Sequence, residues 1–114
     1  MALLRVEALP GNPLAAAATF HGRELPRIIA ALGGTRDALT IVFAPADHTH
    51  SGWRLAVVQE LARQRAPRRV NAVAGDDEAA IIAADRYLEA ANGVTGQLLP
   101  LDSHGAGAMV YPAA

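Results

Sequence analysis

The chain has 114 residues, of which 52% are hydrophobic, 18% charged and 4% aromatic. This length suits one domain over residues 1–114, with a core built from Ala, Leu, Val and Ile. A net charge of -1 leaves no broad basic surface, so we expect neither nucleic acid nor a membrane as a partner. The absence of cysteine excludes disulfides, thiolate catalysis and cysteine-ligated zinc.

Charge interrupts the apolar amino terminus at Arg5 and Glu7, too early for a signal peptide. No apolar stretch approaches the roughly 20 residues of a membrane span. We therefore expect a cytoplasmic protein of bacterial type.

Leu3–Leu9 is the first predicted strand, because apolar residues alternate there with Arg5 and Glu7. It should end at the turn Pro10-Gly11. Residues 12–21 are compatible with either a short helix or a packed loop, since a Pro-Leu pair precedes four alanines.

A helix is predicted over Glu24–Leu32 from the i, i+3, i+4, i+7 spacing of its apolar residues. Pro26 is tolerable in its first turn, and Gly33-Gly34 should close the helix in a left-handed conformation. The β-branched and aromatic run Leu39–Ala44 predicts the central strand.

A polar loop over residues 47–52 precedes the next predicted helix, which should extend to about Gln64 with Ser51 or Thr49 as its cap. The apolar stripe of this helix is also the candidate interface, and its members are Trp53, Val57 and Leu61.

Val70–Ala74 is predicted as the third strand, and Asp76–Ala91 as a helix with acidic residues at its positive end. Asn92-Gly93 should cap this helix. Gln97–Leu101 is the last predicted strand, and Pro100 places it at a sheet edge because proline cannot donate to a ladder.

Strands that alternate with helical segments predict an α/β fold. The expected architecture is a three-layer sandwich with a mostly parallel four-stranded sheet and right-handed connections. In such sheets, ligands bind beyond the carboxyl ends of the strands.

Residues 61–75 contain Arg-Val-Asn-Ala-Val, and residues 87–102 contain Thr-Gly-Gln. These segments resemble the short-chain dehydrogenases/reductases, in which the first motif precedes Pro-Gly at the sixth strand and the second introduces the last strand. Residues 25–34 and 39–43 are similar to the family's fourth crossover helix and fifth strand. The resemblance implies a Rossmann-like fold, of which this chain would be a truncated relative that matches the C-terminal half.

The family's catalytic residues are not found at the matching positions. Ala44-Pro45-Ala46 stands where the resemblance implies a catalytic serine, and residues 48–54 stand where Tyr-x-x-x-Lys should open a helix. The sequence contains no lysine and no Gly-x-x-x-Gly-x-Gly phosphate loop. We therefore expect no dehydrogenase activity and no cofactor.

Any retained site should lie at the carboxyl rim of the sheet. The candidate rim residues are Asp47, His48, His50, Ser51, Gly75 and Asp76. The two histidines could bind a metal, or Asp47 could orient a histidine that acts as a base toward Ser51. A polar loop with a helix cap is the plainer interpretation, because two histidines without a third ligand are a weak metal signal, and no metal site is predicted.

Three further features have two interpretations each. His104 could supply a third metal ligand, although the glycines of residues 103–114 more simply indicate a flexible tail. Tyr111 could anchor this tail on a partner subunit, or it could be disordered with the rest of the tail. Trp53 suits a core or interface better than ligand stacking. The arginines at the end of the 51–64 helix suit its dipole better than phosphate binding; they are Arg63, Arg65, Arg68 and Arg69.

Two functions remain open. The first is a catalytically inactive structural or interaction subunit. We expect such a subunit to form a homo-oligomer, with a dimer favoured. A full-length dehydrogenase-like protein is a second conceivable partner. The half-polar first strand supports this function, because it leaves a sheet edge whose backbone groups need pairing. The resemblance also supports it, since in the family the helices before and after the fifth strand pack across a dimer axis. The alternative is a small-molecule or metal-binding protein, or a hydrolase, that uses the Asp47–Ser51 loop.

Overall fold

The computed structural model describes residues 3–34 and 37–101. Within these residues the strands form one sheet in the order β1-β2-β3-β4, and every pair is parallel. The strands are β1 (Leu3–Arg5), β2 (Ala38–Phe43), β3 (Arg69–Ala74) and β4 (Leu98–Pro100). The α-helices are α1 (Pro13–Thr19), α2 (Leu25–Leu32), α3 (Ser51–Arg65) and α4 (Glu78–Ala90). The predicted α/β class is confirmed.

Different helices cover the two faces of the sheet. Leu39, Ile41 and Phe43 of β2 pack with residues of α2 and α3 in one core. Val42 and Val73 point to the other face, where they pack with residues of α4. Side chains alternate between the faces because a strand has a period of two residues. The three layers agree with the predicted sandwich.

The hand of the crossover connections differs from the prediction. Each connection joins a strand to its immediate neighbour, always in the same direction across the parallel sheet. The hand of a connection therefore depends only on which face of the sheet its helix covers. Because α3 and α4 lie on opposite faces, the β2-α3-β3 and β3-α4-β4 crossovers have opposite hands. The connections therefore cannot all be right-handed, although that is the common rule for parallel strands.

The ambiguous segment after β1 is helical. The Asn12 carboxamide accepts the N–H of Ala15 at 3.0 Å, and a proline occupies the first turn of α1. A π-helical turn, Phe20–Glu24, then joins α1 to α2. This wide turn lies directly before Pro26, which has no N–H to contribute to a regular helix.

The ends of α2 and α3 differ from the predictions. Gly33 follows α2 with a φ of -66°, so it is not a left-handed cap. A single 3₁₀ turn, His48–His50, precedes α3, and the Asp47 carboxylate caps that turn. Neither Ser51 nor Thr49 acts as the cap, because the Asp47 carboxylate, which precedes both in the chain, already accepts the N–H of Thr49.

Arg69 closes the carboxyl end of α4. Its Nη1 donates to the carbonyls of Leu88 at 2.7 Å and Ala91 at 2.9 Å, and its Nη2 donates to that of Glu89 at 3.2 Å. Arg69 therefore caps α4, whereas the sequence predicted that it would interact with the end of the 51–64 helix. Its N–H groups donate to the carbonyls that Asn92-Gly93 was expected to satisfy.

The edges of the described sheet are β1 and β4. This position confirms the prediction that the strand with Pro100 is an edge strand. Within the residues that the structure describes, no helix is long and apolar enough to cross a membrane. The predictions for the tail, including His104 and Tyr111, lie outside the described residues.

Candidate functional site at the carboxyl rim

Two cavities meet beside the amino end of α3. The rim cavity, of about 290 Å³, lies between the loops after β1 and β2 and includes Glu7 and Gly11 in its wall. The lateral cavity, of about 300 Å³, lies between α3 and the ends of β3 and β4 and includes Ser51 and Gln97. The residues that line both cavities are Ala46, Asp47, His50 and Arg54. Their position beyond the carboxyl ends of parallel strands is where α/β proteins bind ligands.

His50 joins the loop after β1 to α3. The indole N–H of Trp53 donates to its Nδ1 at 3.2 Å, so Nε2 carries the proton and donates to the Gly11 carbonyl at 3.0 Å. The side chain is 6% exposed. Because both ring nitrogens are engaged, His50 in this arrangement is a structural link, and metal binding or base catalysis would require one of these bonds to break.

Asp47 is exposed and is bonded to Thr49. Its carboxylate accepts the N–H of Thr49 at 3.0 Å and also accepts the threonine hydroxyl. These hydrogen bonds lower the pKa of Asp47 from its ordinary value of 3.8. Since Thr49 is its partner, the carboxylate does not orient His50, and the neighbouring His48 is exposed to solvent.

The remaining predicted rim residues have different surroundings. The exposed Ser51 lines the lateral cavity, whereas Gly75 and Asp76 line neither cavity. The Gly75 N–H donates to the Phe43 carbonyl at 3.0 Å, and a Cβ there would lie 3.0 Å from the Cβ of Leu101. Gly75 is therefore needed for the close approach of the backbone to Leu101.

Arg54 is the rim residue that the sequence analysis missed. It is 6% exposed, and its guanidinium lies 4.5 Å from the centre of the Phe43 ring. Nη1 donates to the Ala44 carbonyl at 2.9 Å, whereas the buried Nε has no hydrogen-bond partner among residues 3–34 and 37–101. Within the part of the chain that the structure describes, no carboxylate forms an ion pair with Arg54. Burial lowers the pKa of the guanidinium from its ordinary value.

The spacing of Arg54 is the signal that could have identified it. It precedes Val58 by four residues and Leu61 by seven, so it shares the buried face of α3 with these apolar side chains. A cation on the inward stripe of an amphipathic helix is unusual, because buried charges generally need a partner.

The described helix starts do not fit the pyrophosphate of a dinucleotide, the group that the resemblance implies. Such a group needs free N–H donors at a helix start. Asn12 occupies one donor of α1, and a 3₁₀ turn capped by Asp47 precedes α3. Asp77 caps α4, and Glu78 in its first turn adds a second negative charge. These acidic groups would repel a phosphate.

The layered parallel sheet with cavities at its carboxyl rim is the architecture of Rossmann-like α/β proteins. Residues 4–101 match the family model SDR-like, described as short chain dehydrogenase-like protein. The chain belongs to this family, which confirms the resemblance seen in the sequence. Neither a curated protein nor a solved structure matches the chain.

Proposed function

We propose that the chain is a catalytically inactive member of its family that acts as an oligomeric interaction subunit, with a second copy of itself as the partner. The observation that supports this function best is an apolar groove of about 330 Å³ between α2 and α3. Ile29 in this groove is 40% exposed, although it is a large aliphatic side chain. Apolar surface of this kind is stabilised when another molecule covers it.

The composition of the groove suits a protein interface. Leu25, Ile29 and Trp53 contribute its apolar centre, and polar side chains of His21, Glu60 and Gln64 surround it. An apolar centre with a polar rim is typical of protein interfaces. Glu60 is the one charged residue in this lining, and Arg63 pairs with its carboxylate, so a second copy would meet no strong repulsion.

The position of the groove supports a second copy as the partner. The helices α2 and α3 precede and follow β2, and in the family the corresponding helices pack across a dimer axis. The predicted interface residues Trp53, Val57 and Leu61 all line the groove. Val57 and Leu61 are 7% and 5% exposed, so they form its floor, and Ile29 supplies more of the surface that a partner would contact.

Support for catalytic inactivity comes from the residues at the family's reactive positions. Ala44-Pro45-Ala46 follows β2 in place of the family's serine. His50 and Arg54 have the four-residue spacing of the family's tyrosine and lysine, but His50 already uses both ring nitrogens. In the family, the lysine lowers the pKa of the tyrosine so that the tyrosine can act as a base. His50 and Arg54 do not reproduce this chemistry.

The test is to place a charge in the groove. We expect Ile29→Glu to convert an oligomer into monomers, because the carboxylate would lose its water in a closed interface. Leu14→Glu is the matched control, since Leu14 is 82% exposed on α1 and does not line the groove. Light scattering measures the mass of each variant, and an unchanged mass for Ile29→Glu would contradict this interface.

A second candidate function, the binding of a small molecule at the carboxyl rim, is favoured by Arg54. A buried guanidinium that has one hydrogen bond and no carboxylate partner among the described residues, beside two cavities, suits recognition better than fold stability. Native mass spectrometry of the purified chain tests this function, because a retained molecule would add its own mass. Loss of that added mass in a His48→Ala variant, which keeps both hydrogen bonds of His50, would favour the histidine version of the site, and loss in Arg54→Gln alone would favour an Arg54 version.

A further inference from the structure

We propose that the lateral cavity binds the carboxylate of a small organic acid and that Arg54 is the residue that pairs with it. This inference rests on the second candidate function, small-molecule binding at the rim, and specifies its ligand class.

The bonding of Arg54 leaves most of its donors available. A guanidinium has about five N–H donors, and the Ala44 carbonyl takes one of them. Among the described residues neither Nε nor Nη2 has a hydrogen-bond partner, but Nε is closed off from solvent, so Nη2 is the donor that a ligand in the cavity can reach. By contrast, the buried carboxylate of Glu24 is bonded to both Arg23 and Arg27. Arg54 thus lacks the compensation that Glu24 has, and an anionic ligand would supply it.

The surroundings of Arg54 hold the cation in place without neutralising it. The Phe43 ring lies 4.5 Å from the guanidinium carbon, and the Trp53 ring lies 5.9 Å from it. Aromatic faces stabilise a cation but leave its net charge unchanged. The guanidinium is therefore preorganised at the cavity wall, which reduces the entropy that ligand binding would cost.

Charge favours the lateral cavity over the rim cavity. Both contain Asp47, but only the rim cavity also contains Glu7. The lateral cavity instead contains the Ser51 hydroxyl and the Gln97 carboxamide, which are neutral groups able to donate to a carboxylate. An anion next to Arg54 therefore meets less repulsion on the side of α3 that faces β4.

The remaining lining defines the class of anion. Leu55, Leu98 and Pro100 provide an apolar wall in the lateral cavity, which suits the carbon chain of an organic acid. A carboxylate carries one negative charge and has the planar two-oxygen geometry that matches a guanidinium. Phosphate carries more charge beside Asp47 and has no apolar part.

Trp53 is the only tryptophan and provides a direct readout. The full chain is titrated at constant ionic strength with acetate, propionate, inorganic phosphate and acetamide, and the fluorescence of Trp53 is recorded. We expect saturable changes with the two carboxylates, tighter binding of propionate than of acetate, weaker binding of phosphate and no saturation with acetamide.

Variants assign the response to Arg54. Arg54→Gln should weaken propionate binding by about tenfold or more, because a charge-assisted bond is lost. Asp47→Asn removes a nearby negative charge and should tighten binding by about twofold to fivefold, even if Arg54→Gln fails to fold. Glu7→Gln should change binding less than Asp47→Asn. Arg63→Gln is the charge-matched control, since Arg63 pairs with Glu60 on the exposed part of α3, and it should leave binding unchanged.

Several outcomes would overturn the proposal. These are equal responses to acetate and acetamide, tighter binding of phosphate than of propionate, no saturable response to either carboxylate, or no effect of Asp47→Asn. If carboxylates fail but native mass spectrometry finds a retained neutral or cationic molecule, the rim function survives and the ligand class is wrong. If there is neither a response nor added mass, both fail.

Discussion

The Asn71 carboxamide holds the backbone of Gln97. Its Oδ1 accepts the Gln97 N–H at 3.0 Å, and its Nδ2 donates to the Val94 carbonyl, also at 3.0 Å. Asn71 is 2% exposed on β3, so it satisfies two groups of the chain that leads into β4. The two segments that most resemble the family, residues 61–75 and 87–102, are thus joined by one buried side chain.

We predict that Asn71→Ala destabilises the chain by about 2–3 kcal/mol, because it leaves the Gln97 N–H and the Val94 carbonyl without their partner. Urea unfolding measures the free energy of unfolding. Asn92→Ala is the control, since Asn92 is exposed and its side chain bonds to no other segment that the structure describes, and it should change stability by less than about 0.5 kcal/mol. Equal losses for both variants would contradict a bracing role for Asn71.

Gly96 also shapes the entry into β4. Its φ of 74° lies in the left-handed region, and its N–H donates to the Val70 carbonyl at 2.7 Å. Gly96→Ala should cost about 1–2 kcal/mol through backbone strain, since the added Cβ would lie at an ordinary 3.5 Å from Ala62. Gly93→Ala meets nothing within 4 Å and should be nearly neutral in the same unfolding experiment. A similar effect of the two variants would argue against the strained turn.

His50 is predicted to matter for stability and His48 is not. His50→Ala removes the partners of the Gly11 carbonyl and the Trp53 indole N–H, so we expect a loss of about 2 kcal/mol. His48→Ala removes an exposed imidazole and should change the free energy of unfolding by less than about 0.5 kcal/mol. A small effect of His50→Ala would mean that these hydrogen bonds contribute little in solution.

The lowered pKa of Asp47 predicts that the free energy of unfolding depends on pH. Hydrogen bonds from Thr49 lower its pKa in the folded state, so the carboxylate stabilises the fold at pH values above its ordinary pKa of 3.8. That contribution should be lost as the pH falls through the lowered folded-state pKa. The stability difference between the wild type and Asp47→Asn, measured by urea unfolding across acidic pH, should therefore shrink toward low pH. A difference that stays constant would show that the capping charge has no role.

Much of the fold follows from local patterns in the sequence. Apolar runs identified β2, β3 and β4, because buried parallel strands need apolar side chains on both faces, whereas the alternation of apolar and charged residues identified β1. The edge position of β4 followed from Pro100, which lacks a donor. The opposite hands of the β2-α3-β3 and β3-α4-β4 crossovers did not follow, because the apolar stripe of a helix does not show which face of the sheet it covers.

The candidate site was only partly predictable. The rim position of Asp47, His50 and Ser51 followed from the expected ends of the strands. Arg54 was missed because a charged residue in the first turn of a helix is normally solvated, and only the folded chain brings Phe43 and the Ala44 carbonyl against it. The contribution of Ile29 to the α2–α3 groove was missed for a similar reason, since helical spacing does not show which apolar residues stay exposed.

The mass of the natively purified chain at micromolar concentration is the most direct test of the proposed interaction subunit. One chain has a mass of 11.9 kDa. Light scattering should give at least twice this mass, and dilution should shift it toward a single chain, as expected for a reversible interface. A mass of one chain at every concentration would contradict the account.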